Sequence, residues 1–128
     1  MAVSATKIAG TIMNAQSVSA SSTSWGTALN AASGERFSDL WIQVSITFDA
    51  SATEGAIIHR RHSTDDGTTG TTDGTAVRSI SCSAGNTVVV ELYEPGGDYI
   101  EYGVENEDNS YALVATIKYE GIKITGLA

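Results

Sequence analysis

Between Leu40 and Phe48 the chain reads Leu-Trp-Ile-Gln-Val-Ser-Ile-Thr-Phe, and every even position is large and apolar. Leu40, Ile42, Val44, Ile46 and Phe48 therefore fall on one side of an extended chain. Trp41, Gln43, Ser45 and Thr47 fall on the other, because side chains alternate across a strand with a period of two. At helical spacing the same apolar residues would scatter around the whole circumference. Burying the five is worth roughly 8–15 kcal/mol gross, at about 1.5–3 each. That matches the net stability of an ordinary domain, so a second layer must cover this face. Trp41 is the misfit, a large ring on the otherwise polar side.

The rest of the chain repeats the theme. Residues 56–63 and 76–82 read as strands, although adjacent apolar residues leave the inner face of the first ambiguous. Residues 87–92 place Val88, Val90 and Leu92 on one face, and residues 99–104 place Ile100, Tyr102 and Val104 on one face. Residues 110–119 do the same with Tyr111, Leu113, Ala115, Ile117 and Tyr119, and Ile122 and Ile124 follow a bend at Gly121. Turn signals separate these runs at Asp49–Gly55, Ser83–Asn86, Glu94-Pro95-Gly96-Gly97 and Glu105–Asn109. A longer loop, residues 63–75, carries the pairs Asp66-Gly67 and Asp73-Gly74. Short strands at this spacing, without a helical segment, predict an antiparallel β-sandwich, either jelly-roll or immunoglobulin-like. At 128 residues the chain suits one such domain.

The first third differs in composition. Residues 14–34 are rich in Asn, Ala, Ser, Thr and Gly, with Trp25 and Leu29 as large apolar groups. The expected organisation is an extended N-terminal arm, residues 1–34, followed by the sandwich, residues 35–128. On such an arm Ile8, Ile12 and Trp25 are spaced as anchors for a neighbouring surface. Trp25 also suits a plug into the core, since Trp is usually buried over most of its area.

The net charge of −8 argues against nucleic acid and anionic membranes as partners, because both require Lys and Arg to neutralise phosphates. No apolar run reaches membrane-spanning length. The start has no charged segment followed by an apolar one, so no signal peptide is expected. Cys82 is the single cysteine, so no intrachain disulfide can form, which fits synthesis in a reducing cytoplasm.

Candidate chemistry is sparse. His59 and His62 are three apart, which on a strand sends them to opposite faces, and Arg60 and Arg61 between them would repel a cation. Asp65, Asp66 and Asp73 match no calcium-loop spacing. Cys82 is accompanied by no nucleophile elbow or oxyanion loop. From Glu91 to Asp108 there are seven carboxylates and no Lys or Arg, including Glu101 and Glu105, a run suited to docking a basic surface. The expectation is a non-enzyme without cofactor or metal.

Several stretches resemble a loose group of tailed-bacteriophage virion proteins. They are the Trp41-centred strand with Asp49-Ala50-Ser51-Ala52-Thr53, and the arginine strand running into Ser63-Thr64-Asp65-Asp66-Gly67. Ser83-Ala84-Gly85-Asn86-Thr87-Val88, Tyr99-Ile100-Glu101-Tyr102-Gly103-Val104-Glu105-Asn106 and Ser110-Tyr111-Ala112-Leu113-Val114-Ala115-Thr116 complete the pattern. The resemblance covers residues 38–120 and implies a small β-sandwich of the capsid decoration (cement), neck or tail type. It implies a virion location and a partner in the major capsid protein lattice, while Trp41 on a polar strand face and Trp25 in a polar arm point to interfaces of a homo-oligomer, trimer before dimer. A carbohydrate-binding module or adhesin domain is the competing expectation, with Trp41, Tyr93 and Tyr99 as sugar platforms.

Overall fold

The computed structural model describes residues 2–63 and 74–127. Nine strands follow in chain order: β1 (Ser4–Val18), β2 (Thr23–Trp25), β3 (Leu29–Asn30), β4 (Arg36–Thr47), β5 (Ala56–Ser63), β6 (Thr75–Ile80), β7 (Thr87–Gly97), β8 (Tyr99–Asn106) and β9 (Leu113–Thr125). No helix occurs among the described residues. The strands build two antiparallel sheets. Sheet A runs β1-β9-β4-β7, and sheet B runs β2-β8-β5-β6 with β3 also paired to β8.

The pairings nest. β1 pairs with β9, β2 and β3 with β8, β4 with β7, and β5 with β6. Such nesting arises when one long antiparallel hairpin is folded over on itself, and it defines a jelly roll rather than an immunoglobulin-like sandwich.

Strand β4 is central in sheet A, and its alternation works as expected. Leu40, Ile42, Val44 and Ile46 are fully buried, while Trp41 on the opposite face is 52% exposed. Buried Ile58, Ile80, Ile100, Tyr102 and Val104 of sheet B and Leu113, Ala115 and Ile117 of β9 complete the same core. Ahead of the run the parity breaks. Asp39 takes a positive φ of 51°, and the β4–β9 register shifts between Ser38 and Trp41. This bulge lets Phe37 and Leu40 both face inward. Opposite it stands Gly121, where an added Cβ would lie 2.5 Å from Leu40 and 2.7 Å from the Asp39 carbonyl oxygen. Gly121 thus stays within β9, where a bend was expected, because only a residue without a side chain lets the bulge sit against it.

The largest departure from expectation is at the N-terminus. Residues 4–18, expected as part of an arm outside the sandwich, form a 15-residue strand of sheet A paired with β9 from Ser4↔Thr125 to Val18↔Leu113. Register shifts at Thr11/Met13 and Met13/Gln16 turn Ile12, Met13 and Val18 into the core, at 3%, 2% and 0% exposure. Leu29 and Ala31 are buried there too. The expected boundary at residue 34 has no counterpart in the strand pairing. Polar composition misled because β1 is an edge strand whose outer face is wet.

Two smaller differences have local causes. Glu94-Pro95-Gly96-Gly97, expected as a turn, completes β7, where Ser38 pairs with Gly96 and Phe37 with Gly97. Because β7 is the sheet edge, the N–H that proline lacks has no ladder partner to lose. Tyr111 lies outside β9 and is exposed, so that strand's inner face starts at Leu113.

Candidate binding surface

The two sheets turn very different outer faces to their surroundings. On sheet A, Ala9, Glu120, Trp41 and Tyr93 form one row across all four strands. Trp41 and Tyr93 are both about half exposed, with ring centroids 5.7 Å apart and an edge-on angle of 65°. The Tyr93 hydroxyl donates to Asp39 Oδ1, so the bulged residue pins the ring; that bond to a carboxylate also raises the Tyr93 pKa. Two shallow clefts flank Trp41. One, about 300 Å³, is lined by Ala9, Gly10, Gln43, Glu91, Lys118 and Glu120 among others. The second, about 460 Å³, runs along Lys7, Ile8, Ala9, Glu120, Gly121 and Ile122. Val89 and Val114 are exposed on the same face, separated from the ring pair by polar rows.

Sheet B closes its outer face. Trp25 of β2 pairs with Gly103 and lies flat on it; a Cβ at Gly103 would approach the indole to 2.8 Å. The Arg61 guanidinium sits 4.0 Å from the indole centroid, and His59 borders the ring at 6.3 Å between centroids. Arg61 also donates to Glu101 Oε2 at 2.9 Å, while the Tyr99 hydroxyl donates to Glu101 Oε1 at 2.6 Å. Burial pushes the Glu101 carboxyl up, but the bonds from Arg61 and Tyr99 outweigh it and hold the pKa low. His59 Nε2 lies 2.7 Å from Glu105 Oε1. Most of the polar groups around Trp25 on this sheet are thus paired with one another, the buried Arg61 Nε being the exception.

Between the sheets lies an ion pair that sequence reading missed. Glu94 of β7 is completely buried. Arg60 Nε donates to its Oε1 and Arg60 Nη2 to its Oε2 at 3.0 Å, in a bidentate pair. Tyr102 Oη donates to Oε1 at 2.6 Å, and the Gly96 N–H donates to Oε2 at 2.8 Å. The bond to Glu94 raises the Arg60 pKa, and burial followed by the same carboxylate raises that of Tyr102. A buried carboxylate with four donors is fully satisfied and ties sheet A to sheet B.

At one end of the sandwich a second carboxylate knits the loops. Asp108 Oδ2 accepts from the N–H groups of Thr53 (2.8 Å) and Glu54 (3.2 Å), and Oδ1 from those of Ser110 (2.8 Å) and Tyr111 (3.0 Å). These backbone donors hold its pKa at about 2. Its own carbonyl accepts from the Ser21 N–H.

The residues singled out in the sequence thus separate. Ile8 packs partly buried against the core and Ile12 is inside it, so neither stands free as an anchor. Trp25 neither enters the inter-sheet core nor projects outward; it tiles sheet B. Trp41 alone of the six is an open large apolar group, and Glu101 and Glu105 carry partners. Of the three aromatics expected as sugar platforms, Trp41 and Tyr93 share one exposed face and Tyr99 belongs to the other sheet. His59 and His62 take different partners, His62 Nδ1 accepting from Arg60. No cluster of three metal-ligating side chains occurs among the described residues. Asp65, Asp66 and Asp73 lie outside the described residues. Glu94 was legible in principle: it continues the inward series Val88, Val90, Leu92, just as Arg60 continues Ala56, Ile58.

These features define a jelly-roll β-sandwich with one outer face whose tryptophan is covered by paired side chains and one open aromatic face. No protein-family model matches the chain, and no curated protein matches it in sequence. In three dimensions it is similar to a chain in the structure of infectious bursal disease virus, Gx strain, with a TM-score of 0.65 and 10% sequence identity. The match covers 94% of this chain and 35% of the viral one, so this protein spans about a third of that chain's length. At such identity the likeness is one of fold.

Proposed function

We propose that this protein is a structural component of a virus particle, a decoration protein that binds and stabilises the head of a tailed bacteriophage. The observation that carries this reading is the fold: the whole sandwich, rather than a fragment of it, matches part of a chain from a virus structure. Jelly rolls are a common architecture of viral shell domains, and the resemblance of residues 38–120 to phage virion proteins points the same way.

The fold redistributes the expected acidic docking run, which supports a meeting with a basic shell surface at one end of the sandwich. Glu94 is inside, and Glu101 and Glu105 face Arg61 and His59. Exposed Glu107 instead joins exposed Asp49 and Glu54 in the loop end held by Asp108. In this reading that rigid acidic end meets the major capsid protein lattice, and oligomerisation, trimer before dimer, accompanies assembly on the shell. Recombinant full-length protein should co-sediment with tailless heads from the lysate of its own source at 0.1 M salt. The charge reversals Glu54→Lys and Glu107→Lys together should release it, as should 1 M salt, where the Debye length shrinks from about 10 Å to about 3 Å. Sedimentation with isolated tails instead of heads would place the protein at the neck or tail. Absence from both would end the virion reading.

A further inference from the structure

The open face of sheet A has a chemistry different from that of the acidic end. We propose that Trp41 and Tyr93 form a glycan-binding platform, which takes a neutral hexopyranose chain laid across the four strands of sheet A.

Four observations carry it. First, the two rings are exposed side by side on the outer face of sheet A, Trp41 on the inner strand β4 and Tyr93 on the edge strand β7, and about half of each ring is open to a ligand. The C–H-rich face of a pyranose is the natural complement of an electron-rich aromatic face. Second, the Tyr93 ring is held before any ligand arrives by its bond to Asp39, and Trp41 packs edge-on against that ring from a strand paired on both sides. A pre-set ring loses little rotamer freedom on binding. Third, Trp41 stands between two clefts of about 300 and 460 Å³, so a chain crossing it finds room on either side, at the lower end of the roughly 300–1,000 Å³ usual for ligand sites. Both clefts are bordered by Ala9, Trp41 and Glu120, so they lie on either side of one row.

Fourth, the groups around the rings are mixed. Gln43 and Lys118 donate, and Gln43, Glu91 and Glu120 accept, within the clefts themselves. Sugar hydroxyls both donate and accept and are met by such a set. A stable protein–protein interface instead buries about 800 Å² per partner around an apolar centre. Here the apolar centre is the ring pair together with Ile8, Ala9 and Ile122 along the second cleft, bounded by Gln43 and Glu91 on one side and by Lys7 and Ser38 on the other. Charge selects the class of sugar. Asp39, Glu91 and Glu120 outnumber Lys7 and Lys118 around the platform, and the chain carries −8 overall, which disfavours uronic or sialic acids.

The inference is independent of the shell-docking reading, because the platform lies on a sheet face and the acidic groups on loops at one end. The test uses the intact protein and three linear probes, the hexasaccharides of β-1,4-glucose, α-1,4-glucose and β-1,4-N-acetylglucosamine. Intrinsic fluorescence should change saturably with at least one probe, at a Kd of about 0.1–5 mM, the range expected of a shallow platform. Trp41→Ala should weaken that binding at least tenfold, and Tyr93→Ala several-fold. Trp25→Phe should keep it, showing that the signal comes from sheet A. Head co-sedimentation of Trp41→Ala should equal that of the unmodified protein. No saturable change with any of the three up to about 20 mM overturns the proposal. So does retained sugar binding by Trp41→Ala, or loss of head binding in that variant, which would make this face a protein contact.

Discussion

The two tryptophans stand on opposite outer faces of one sandwich, and the fold treats them in opposite ways. Trp25 lies on Gly103, is capped by Arg61 and bordered by His59, and its neighbours Glu101, Glu105 and Tyr99 are engaged as well. Trp41 has an aromatic neighbour on one side and open clefts around it. A ring that the chain itself covers belongs to stability, whereas a ring held rigid and left open is available to a second molecule. Exposure alone does not make this distinction; the partners of the surrounding groups do.

The comparison presupposes that both faces belong to one cooperative sandwich that includes β1, and the strongest way to break it is to remove that strand. Deleting residues 2–18 would strip β9 of one partner and take Ile12, Met13 and Val18 out of the core, roughly 5–9 kcal/mol of gross burial at about 1.5–3 each. That is of the order of a domain's whole stability. The truncated chain should lose its dispersed amide NMR spectrum. A folded remainder would show that residues 2–18 are an arm after all.

The next effect concerns the tie between the two sheets. Glu94→Gln should cost about 3–5 kcal/mol in urea unfolding, because Arg60 is left without its counter-charge. The double variant Arg60→Met, Glu94→Leu should recover part of that loss, since it removes the unpaired charge but leaves the Tyr102 hydroxyl and the Gly96 N–H without their acceptor. If the double variant is as unstable as the single one, packing rather than charge holds the sheets here.

Strong acid should loosen the loop end that Asp108 holds. The Asp108 carboxyl is held at about 2 against an ordinary 3.8 by backbone N–H donors, so the folded state favours the anion. Its contribution is present well above pH 3.8 and is lost as pH falls through about 2. Asp108→Asn should lower the melting temperature at neutral pH and should flatten its decline between those two pH values. An unchanged slope would assign the acid sensitivity to other carboxylates.

The smallest effects sharpen the comparison itself. Trp25→Ala should cost about 1–3 kcal/mol, through lost packing and the lost cation–π contact. Trp41→Ala should cost less, about 0.5–1 kcal/mol, because only the edge-on contact with Tyr93 is lost. Equal costs would erase the difference between the faces.

The sandwich was legible because period-two alternation is local: Leu40 to Phe48, Val88 to Leu92, and Ile100 to Val104 each declare their inner face within a few residues. The exposed position of Trp41 follows from the same parity and needs no tertiary information. What only the tertiary structure decided is which strands meet. The nested pairing that makes this a jelly roll, the capture of β1 by β9, and the meeting of Trp41 with Tyr93 all depend on contacts between distant segments. Asp39 shows the limit most sharply, since a single bulged residue reverses parity between Phe37 and Leu40 and pins Tyr93. Glu94, Arg60 and Tyr102 each sit at an inward position readable on their own strands. Their convergence into one satisfied buried pair is a property of the packed sheets, because a charge enters a low-dielectric core only where three-dimensional folding delivers its partners.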